Sequence, residues 1–223
     1  MKFVEYPDAE LMMFDLADVL ASELASALRR NDGASLCVPG GTTPGPVFDV
    51  LSGVKLDWDR VTVFLNDERW VPESHERSNA RLLKARLLTG RAAAATYLPL
   101  YADAGAPEDA VDALAAAIEP HLPIDVLLLG MGADMHTASL FPGADRLAEA
   151  LAPDAPILIP MRAPGAAEPR MTLSARVLAD AMTCHIVIAG AEKRAAVERA
   201  ESLPPEEAPV AAVLANATVH WAP

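Results

Sequence analysis

The chain has 223 residues, of which 52% are hydrophobic and 22% are charged, as is ordinary for a globular protein. Its formal net charge of −13 argues against a nucleic-acid partner, because nucleic-acid binding needs a basic surface. No run approaches the ~18 apolar residues of a membrane span, and the first seven residues lack a signal-peptide core, so we expect a cytoplasmic protein with no membrane partner.

Apolar residues recur at helical spacing from Asp8 to Arg30, with Asp8 placed to cap the helix and Asn31-Asp32-Gly33 placed to end it. Strands are expected at Ser35–Val38, Val61–Leu65, Tyr97–Leu100, Ile124–Leu129, Ile157–Pro160 and His185–Ile188, and helices from Pro44 to Leu51, over Ser78–Leu88, Pro107–Glu119, Ser174–Ala179 and Glu192–Ala200, and after Pro205. This alternation predicts a single α/β domain over residues 1–223, with a mostly parallel sheet flanked by helices on both faces. Cys37 and Cys184 lie in apolar strand-like runs, which favours buried free thiols over a disulfide.

The segment from Asp125 to Gly143 indicates where chemistry should be sought. An apolar run ends in Gly130-Met-Gly132, and Asp134 and His136 follow within four residues. Open α/β sheets build their active sites at the carboxyl ends of their strands. A lone histidine is more often structural than catalytic, but the strand-end position and the neighbouring Asp favour a catalytic pair here. Histidine suits proton abstraction from water or from a substrate carbon near neutral pH.

A second strand end carries Gly40-Gly41-Thr42-Thr43-Pro44 before a helix. Paired glycines let the backbone approach a ligand, and N–H groups at a helix start attract anions. The pattern is neither a Walker loop nor a full GxGxxG fingerprint. Two interpretations stay open, a tight turn capped by Thr and a loop that binds an anion or a sugar phosphate.

Two further strand ends carry charged residues. After Val61–Leu65 comes Asn66-Asp67-Glu68-Arg69, where Asp67 can accept a hydrogen bond from a hydroxyl and Arg69 can hold a phosphate. Lys193 lies in the first turn of a predicted helix, where a cation opposes the macrodipole unless an anion binds there. Arg170 adds a cation between these segments. The alternative for each charge is an ordinary solvated side chain.

Together these segments resemble the 6-phosphogluconolactonase family, within the superfamily of glucosamine/galactosamine-6-phosphate isomerases. The resemblance rests on Gly40–Pro44, Asp67–Pro72, Ser78-Asn79, Gly130–Gly143, Arg170–Leu173 and Gly190-x-x-Lys193, which occur in the expected order along nearly the whole chain up to Trp221. The most specific stretch is His136-Thr-Ala-Ser-Leu-Phe-Pro142. The Gly-Gly-Thr-Thr-Pro turn is shared with other relatives.

The resemblance implies a modified Rossmann-like fold and hydrolysis of 6-phospho-D-glucono-1,5-lactone to 6-phosphogluconate in the pentose phosphate pathway. It implies no cofactor and no metal, and the expected partner is the phosphorylated sugar lactone, bound by a monomer or weak homo-oligomer. It also suggests roles for individual residues. His136 is the expected general base, with Asp134 to position it and Asp67 to orient sugar hydroxyls; the expected substrate and phosphate ligands are Gly40, Gly41, Thr42, Thr43, Arg69, Arg170 and Lys193.

The chain departs from the family pattern at two positions. Met135 stands where the family usually has Gly, so a positive φ there would cost on the order of 1 kcal/mol or more. Pro39 stands at a position where the family often has Ser. The alternatives are a glucosamine-6-phosphate deaminase, in which the Asp at the second strand end is the base, and a catalytically silent sugar-phosphate-binding protein.

Overall fold

The fold is built around a seven-stranded parallel sheet, and the structure, a computed structural model, describes all 223 residues. The strands are β1 (Lys2–Glu5), β2 (Ala34–Val38), β3 (Val61–Leu65), β4 (Asp67–Arg69), β5 (Thr96–Leu98), β6 (Val126–Gly130), β7 (Leu158–Met161), β8 (Arg170–Leu173), β9 (Thr183–Ala189) and β10 (Ala217–Ala222). The helices are α1 (Ala9–Arg30), α2 (Gly45–Gly53), α3 (Asn79–Arg86), α4 (Val111–Ile118), α5 (Leu147–Ala150), α6 (Ala175–Ala179), α7 (Ala191–Ala200) and α8 (Ala211–Leu214). None of these helices is both long enough and apolar enough to cross a membrane.

The parallel sheet has the strand order β1-β10-β9-β6-β2-β3-β5. All five residues of β2 are buried, and because successive side chains of a strand point to opposite faces, both faces of the sheet are covered there. Burial on both faces explains why the central strands are continuous apolar runs. The expected parallel α/β fold is therefore confirmed, and Cys37 and Cys184 are free and buried as predicted.

Helix α1 follows the sequence prediction closely. The Asp8 carboxylate accepts a hydrogen bond from Leu11 N at 2.8 Å and so caps the helix start. At the other end, the Arg60 guanidinium donates to the carbonyls of Leu28, Asn31 and Asp32. A cation there satisfies carbonyl groups that have no partner within the helix.

A second, three-stranded antiparallel sheet of order β4-β8-β7 is the main correction to the sequence prediction. The strand expected at Ile157–Pro160 forms as β7, but it pairs with β8 in this small sheet. Strand β4, expected as an irregular polar stretch, pairs Asp67 with Thr172. The sequence pattern could not reveal the pairing of β4 with β8, because it joins two short segments about 100 residues apart. The strands β1 and β10 are not predicted either, since β1 has only four residues and both carry polar residues that interrupt the apolar pattern.

A buried chain of hydrogen bonds ties α1 to the strands β9 and β10. Tyr6 Oη lies 2.9 Å from His220 Nδ1 and donates to Asp15, His220 Nε2 lies 3.0 Å from His185 Nδ1, and His185 Nε2 lies 2.8 Å from Glu23 Oε2. Burial, followed by the neighbouring His185, lowers the pKa of His220 to about 4. The fold therefore holds the His220 imidazole neutral.

The lowered pKa of His220 makes the free energy of unfolding depend on pH. The unfolded chain binds a proton at this imidazole below about pH 6.5, whereas the folded protein does so only near pH 4. The stability is therefore unaffected above pH 6.5 and falls as the pH drops towards 4, by up to roughly 3 kcal/mol. Urea unfolding at a series of pH values should show this loss in the wild type and a shallower pH dependence in His220→Gln. Identical slopes for the two proteins would contradict the assignment.

Candidate active site

A cleft of about 340 Å³ lies where the strands β2, β3, β6 and β9 end. Eight of the ten predicted site residues line it: Gly40, Gly41, Thr43, Asp67, Arg69, His136, Arg170 and Lys193. Thr42 and Asp134 do not line the cleft, and both are exposed. The carboxyl ends of neighbouring parallel strands thus bring together residues that are up to 153 positions apart in the chain.

The His136 imidazole is held by Asp134. Its Nδ1 lies 2.5 Å from Asp134 Oδ1, and the same oxygen accepts a hydrogen bond from the His136 backbone N–H at 3.3 Å. The other ring nitrogen, Nε2, has no hydrogen-bond partner in the protein, and the side chain is 30% exposed. Gly132 leaves the space for this ring, since a Cβ there would lie 2.2 Å from His136 Nδ1. The imidazole therefore has one nitrogen fixed and one available in the cleft.

The loop after β6 carries two residues in the left-handed region, Met135 with φ 66° and Ala138 with φ 49°. At Met135 the strain anticipated from the sequence is present. Its side chain is only 9% exposed and belongs to the hydrophobic core, and its carbonyl accepts a hydrogen bond from Val210 N at 3.1 Å. Packing and this hydrogen bond offset the cost of the backbone conformation.

Asp67 and Arg170 form a buried pair on one wall of the cleft. Asp67 Oδ2 accepts a hydrogen bond from Ser139 Oγ at 2.6 Å and lies 3.8 Å from Arg170 Nη1, while Oδ1 accepts no hydrogen bond from a protein group. Burial lowers the pKa of Arg170, and its Nε has no partner. A buried guanidinium with unused donors suits an anionic or oxygen-rich ligand.

Glu68 has a structural role that sequence reasoning missed. Its carboxylate is fully buried and accepts hydrogen bonds from the backbone N–H groups of Asn79 and Ala80 at the start of α3. Burial raises the pKa of Glu68, against the opposing effect of these backbone donors. Asn79 in turn donates to the Asp67 carbonyl, and its side chain occupies the space that a Cβ of Gly40 would need. The Asp67-Glu68 and Ser78-Asn79 motifs therefore form one unit that also requires a glycine at position 40.

Other residues that line the cleft offer groups suited to an anion. Gly41 has φ 82°, which favours glycine, and the Thr43 hydroxyl makes no hydrogen bond within the protein. The Thr cap proposed for this turn is wrong, because the N-cap of α2 is Pro44 and no side chain caps the helix. Lys193 lies in the first turn of α7 and forms no ion pair with the protein. The Nη1 group of Arg69 donates to the Arg77 carbonyl at 2.7 Å.

Several residues that line the cleft were not among the predicted ones. Asn66 is buried with its Oδ1 unpaired, Gly132 accommodates the imidazole, and the Phe141 ring lies 4.3 Å from the His136 ring. Asn66 follows β3 directly and could have been found by its strand-end position. The roles of Gly132 and Phe141 depend on contacts that the sequence pattern does not reveal.

Comparison with known proteins places this site in a family. The family described as glucosamine-6-phosphate isomerases/6-phosphogluconolactonase matches residues 7–221. The chain belongs to this family. Among curated proteins, it is 43% identical to a 6-phosphogluconolactonase from Mesorhizobium japonicum, over 98% of this chain and 94% of that one.

Solved structures of the family have the same fold. A 6-phosphogluconolactonase from Shewanella baltica superposes with a TM-score of 0.96 at 31% identity, over 100% of this chain and 98% of that one. A monomeric glucosamine-6-phosphate deaminase superposes with a TM-score of 0.81 at 15% identity, over 100% and 97% of the two chains. The second likeness shows the shared fold only.

Substitutions at Met135 separate strain from packing. Met135→Gly and Met135→Ala both lose the buried side chain, at a cost of about 2–5 kcal/mol. Only glycine adopts a φ of 66° without strain, so the Gly variant should be the more stable by about 1 kcal/mol in urea unfolding. Met131 is also buried in the same loop and has no positive φ, so there Ala should be more stable than Gly. An Ala variant at 135 as stable as the Gly variant would show that the position is unstrained.

Proposed function

We propose that the protein hydrolyses 6-phospho-D-glucono-1,5-lactone to 6-phosphogluconate, the lactonase step of the pentose phosphate pathway. The observation that carries the proposal is the His136 imidazole, fixed at Nδ1 by Asp134 and free at Nε2, in one cleft with the unpaired Lys193. Membership of the family limits the activity to sugar-phosphate chemistry of this kind, and the 43% identity to a named 6-phosphogluconolactonase supports the lactonase reaction within it.

His136 acts as the general base in this proposal. A lactone is an ester, and its hydrolysis needs a base for water, a stabiliser for the oxyanion and correct positioning. Nε2 takes a proton from water as the water attacks the C1 carbonyl. The imidazolium then returns that proton to the ring oxygen as the C1–O bond breaks. Asp134 supports both steps, because its carboxylate anchors Nδ1 of the ring and stabilises the positive charge.

Lys193 and the Gly40–Thr43 loop hold the phosphate in this proposal. The backbone N–H groups at a helix start and a charged ammonium group both favour a dianionic phosphate. The unpaired state of Lys193 and the free Thr43 hydroxyl support this assignment. Binding the remote phosphate orients C1 towards His136.

Asp67, Arg69 and Arg170 face the middle of the substrate. The free Oδ1 of Asp67 accepts a hydrogen bond from a sugar hydroxyl, and the two guanidinium groups supply positive charge for oxygen atoms that become negative in the transition state. A well-placed donor to an oxyanion typically contributes roughly 3–4 kcal/mol. The chain as a whole carries a charge of −13, so this local group of cations is what makes the cleft attractive to an anion.

The protein is further proposed to work in the cytoplasm without a cofactor, as a monomer or weak homo-oligomer. Its two free, buried cysteines fit a reducing compartment. No cluster of three or more His, Cys, Asp or Glu side chains is arranged to hold a metal ion.

Replacing His136 tests the base directly. His136→Ala should lower kcat for 6-phosphogluconolactone by roughly 100- to 10,000-fold, because general-base assistance is lost. Binding of 6-phosphogluconate, measured by calorimetry, should stay within about threefold, since the phosphate ligands remain. The measurement is stopped-flow acid release from freshly made lactone, corrected for spontaneous hydrolysis.

His121→Ala is the matched control, since His121 lies outside the cleft. It should keep the wild-type rate. Full activity of His136→Ala would remove His136 from its role. A folded wild type without activity would contradict the lactonase proposal, and the deaminase assay with glucosamine 6-phosphate would then follow.

Replacing Lys193 tests the proposed phosphate-binding site. Lys193→Gln should raise KM for the phosphorylated lactone by about 10- to 100-fold, because a charge-assisted hydrogen bond is lost. Hydrolysis of unphosphorylated gluconolactone should not change. Arg194→Gln is the control, because the neighbouring Arg194 pairs with Glu5 and Glu198 outside the cleft. An equal rise of KM in both variants would assign the effect to α7 in general.

A further inference from the structure

The ring of Phe141 contacts the proposed base from a position close in sequence. The segment from Thr137 to Leu140 forms a tight turn, closed by a hydrogen bond from Leu140 N to the Thr137 carbonyl at 3.0 Å, and Ala138 adopts φ 49° within it. This turn brings Phe141 back to His136. The two ring centroids lie 4.3 Å apart with their planes inclined by 35°, a tilted aromatic contact.

Phe141 also contacts the buried cation of the cleft. The Arg170 guanidinium carbon lies 5.8 Å from the Phe141 ring centroid, within the range of a cation–π interaction. Arg170 has only the 3.8 Å approach of Asp67 as an ion pair. One aromatic ring thus lies beside both the imidazole and the guanidinium.

The contact between Nδ1 and the Asp134 carboxylate does not by itself fix the orientation of the imidazole. It holds a single ring atom, and the Asp134 side chain is 54% exposed, so the ring could still turn about that contact. Gly132 leaves room for the ring, since a Cβ there would lie 2.2 Å from Nδ1 and 2.3 Å from Cε1, but a glycine has no side chain that could hold it. Phe141 supplies the remaining contact.

We propose that Phe141 is a positioning residue for the lactonase reaction, holding the His136 imidazole in the orientation that leaves Nε2 in the cleft. The inference rests on the proposed function, because it assigns the ring a purpose in that reaction. Phe141 itself exchanges no proton and forms no bond with the substrate. Its effect is expected in kcat, since a small displacement of a base costs far more rate than binding.

Phe141→Leu keeps an apolar side chain but removes the ring. Its kcat for 6-phosphogluconolactone should fall by roughly 10- to 100-fold, with KM changed by less than about threefold. Phe141→Tyr retains the ring and should keep kcat within about threefold of the wild type. Phe3→Leu is the matched control, because Phe3 also lies near an arginine, Arg194, but outside the cleft. It should leave kcat unchanged.

A double-variant comparison separates positioning from general damage. If Phe141 acts through His136, the change Phe141→Leu should lower the residual rate of His136→Ala by less than about twofold. A loss in the His136→Ala background as large as in the wild type would overturn the proposal, and so would an unchanged kcat in Phe141→Leu.

Proton NMR tests the contact without any assay of activity. The ring C–H signals of His136, identified among the five histidines by their absence in His136→Ala, should shift in Phe141→Leu as the ring current is lost, and should not shift in Phe3→Leu. Unchanged signals would overturn the proposal. If the signals shift in Phe141→Leu but the wild type does not hydrolyse the lactone, the contact is established and the proposed function is contradicted.

Discussion

The parallel pairing of four neighbouring strands, β9, β6, β2 and β3, determines where all the proposed functional side chains except Arg170 lie. Parallel strands end at the same edge, so the loops after them must meet there. The glycine loop follows β2, Asp67 and Arg69 follow β3, His136 follows β6, and Lys193 follows β9. Each loop supplies one group of different chemistry. A base, cations and backbone donors therefore lie together in the cleft because the strands are parallel.

The functional edge of the sheet is also where local rules are broken. Met135 and Ala138 adopt a left-handed backbone, Arg170 is buried with an unpaired Nε, and Lys193 stands at the unfavourable end of a helix. Elsewhere the chain follows the rules, as α1 does with its Asp8 cap and its buried apolar face. Local strain at one edge, supported by a large regular core, is the arrangement expected of a binding site.

Much of this could be read from the sequence, for physical reasons. Strands buried on both faces are continuous apolar runs, so β2, β3, β6 and β9 were predictable, and with them the position of the cleft. The small antiparallel sheet was not, because it depends on the pairing of β4 with β8, which joins Asp67 to Thr172 in a distant part of the chain. The same limit applies within the site. Ser139 binds the Asp67 carboxylate across 72 positions of sequence, and nothing in either segment indicates that contact. Thr42, predicted as a ligand, lies outside the cleft because the turn at Gly41 leaves it exposed.

We propose that one cleft holds a phosphorylated lactone with its phosphate at Lys193 and its C1 carbon at His136. A crystal structure of the protein with the reaction product, 6-phosphogluconate, tests this most directly. We expect the phosphate to lie within hydrogen-bonding distance of Lys193 Nζ and the Gly40–Thr43 backbone, and the C1 carboxylate to lie beside His136 Nε2. A product bound in the opposite direction, or outside this cleft, would contradict it.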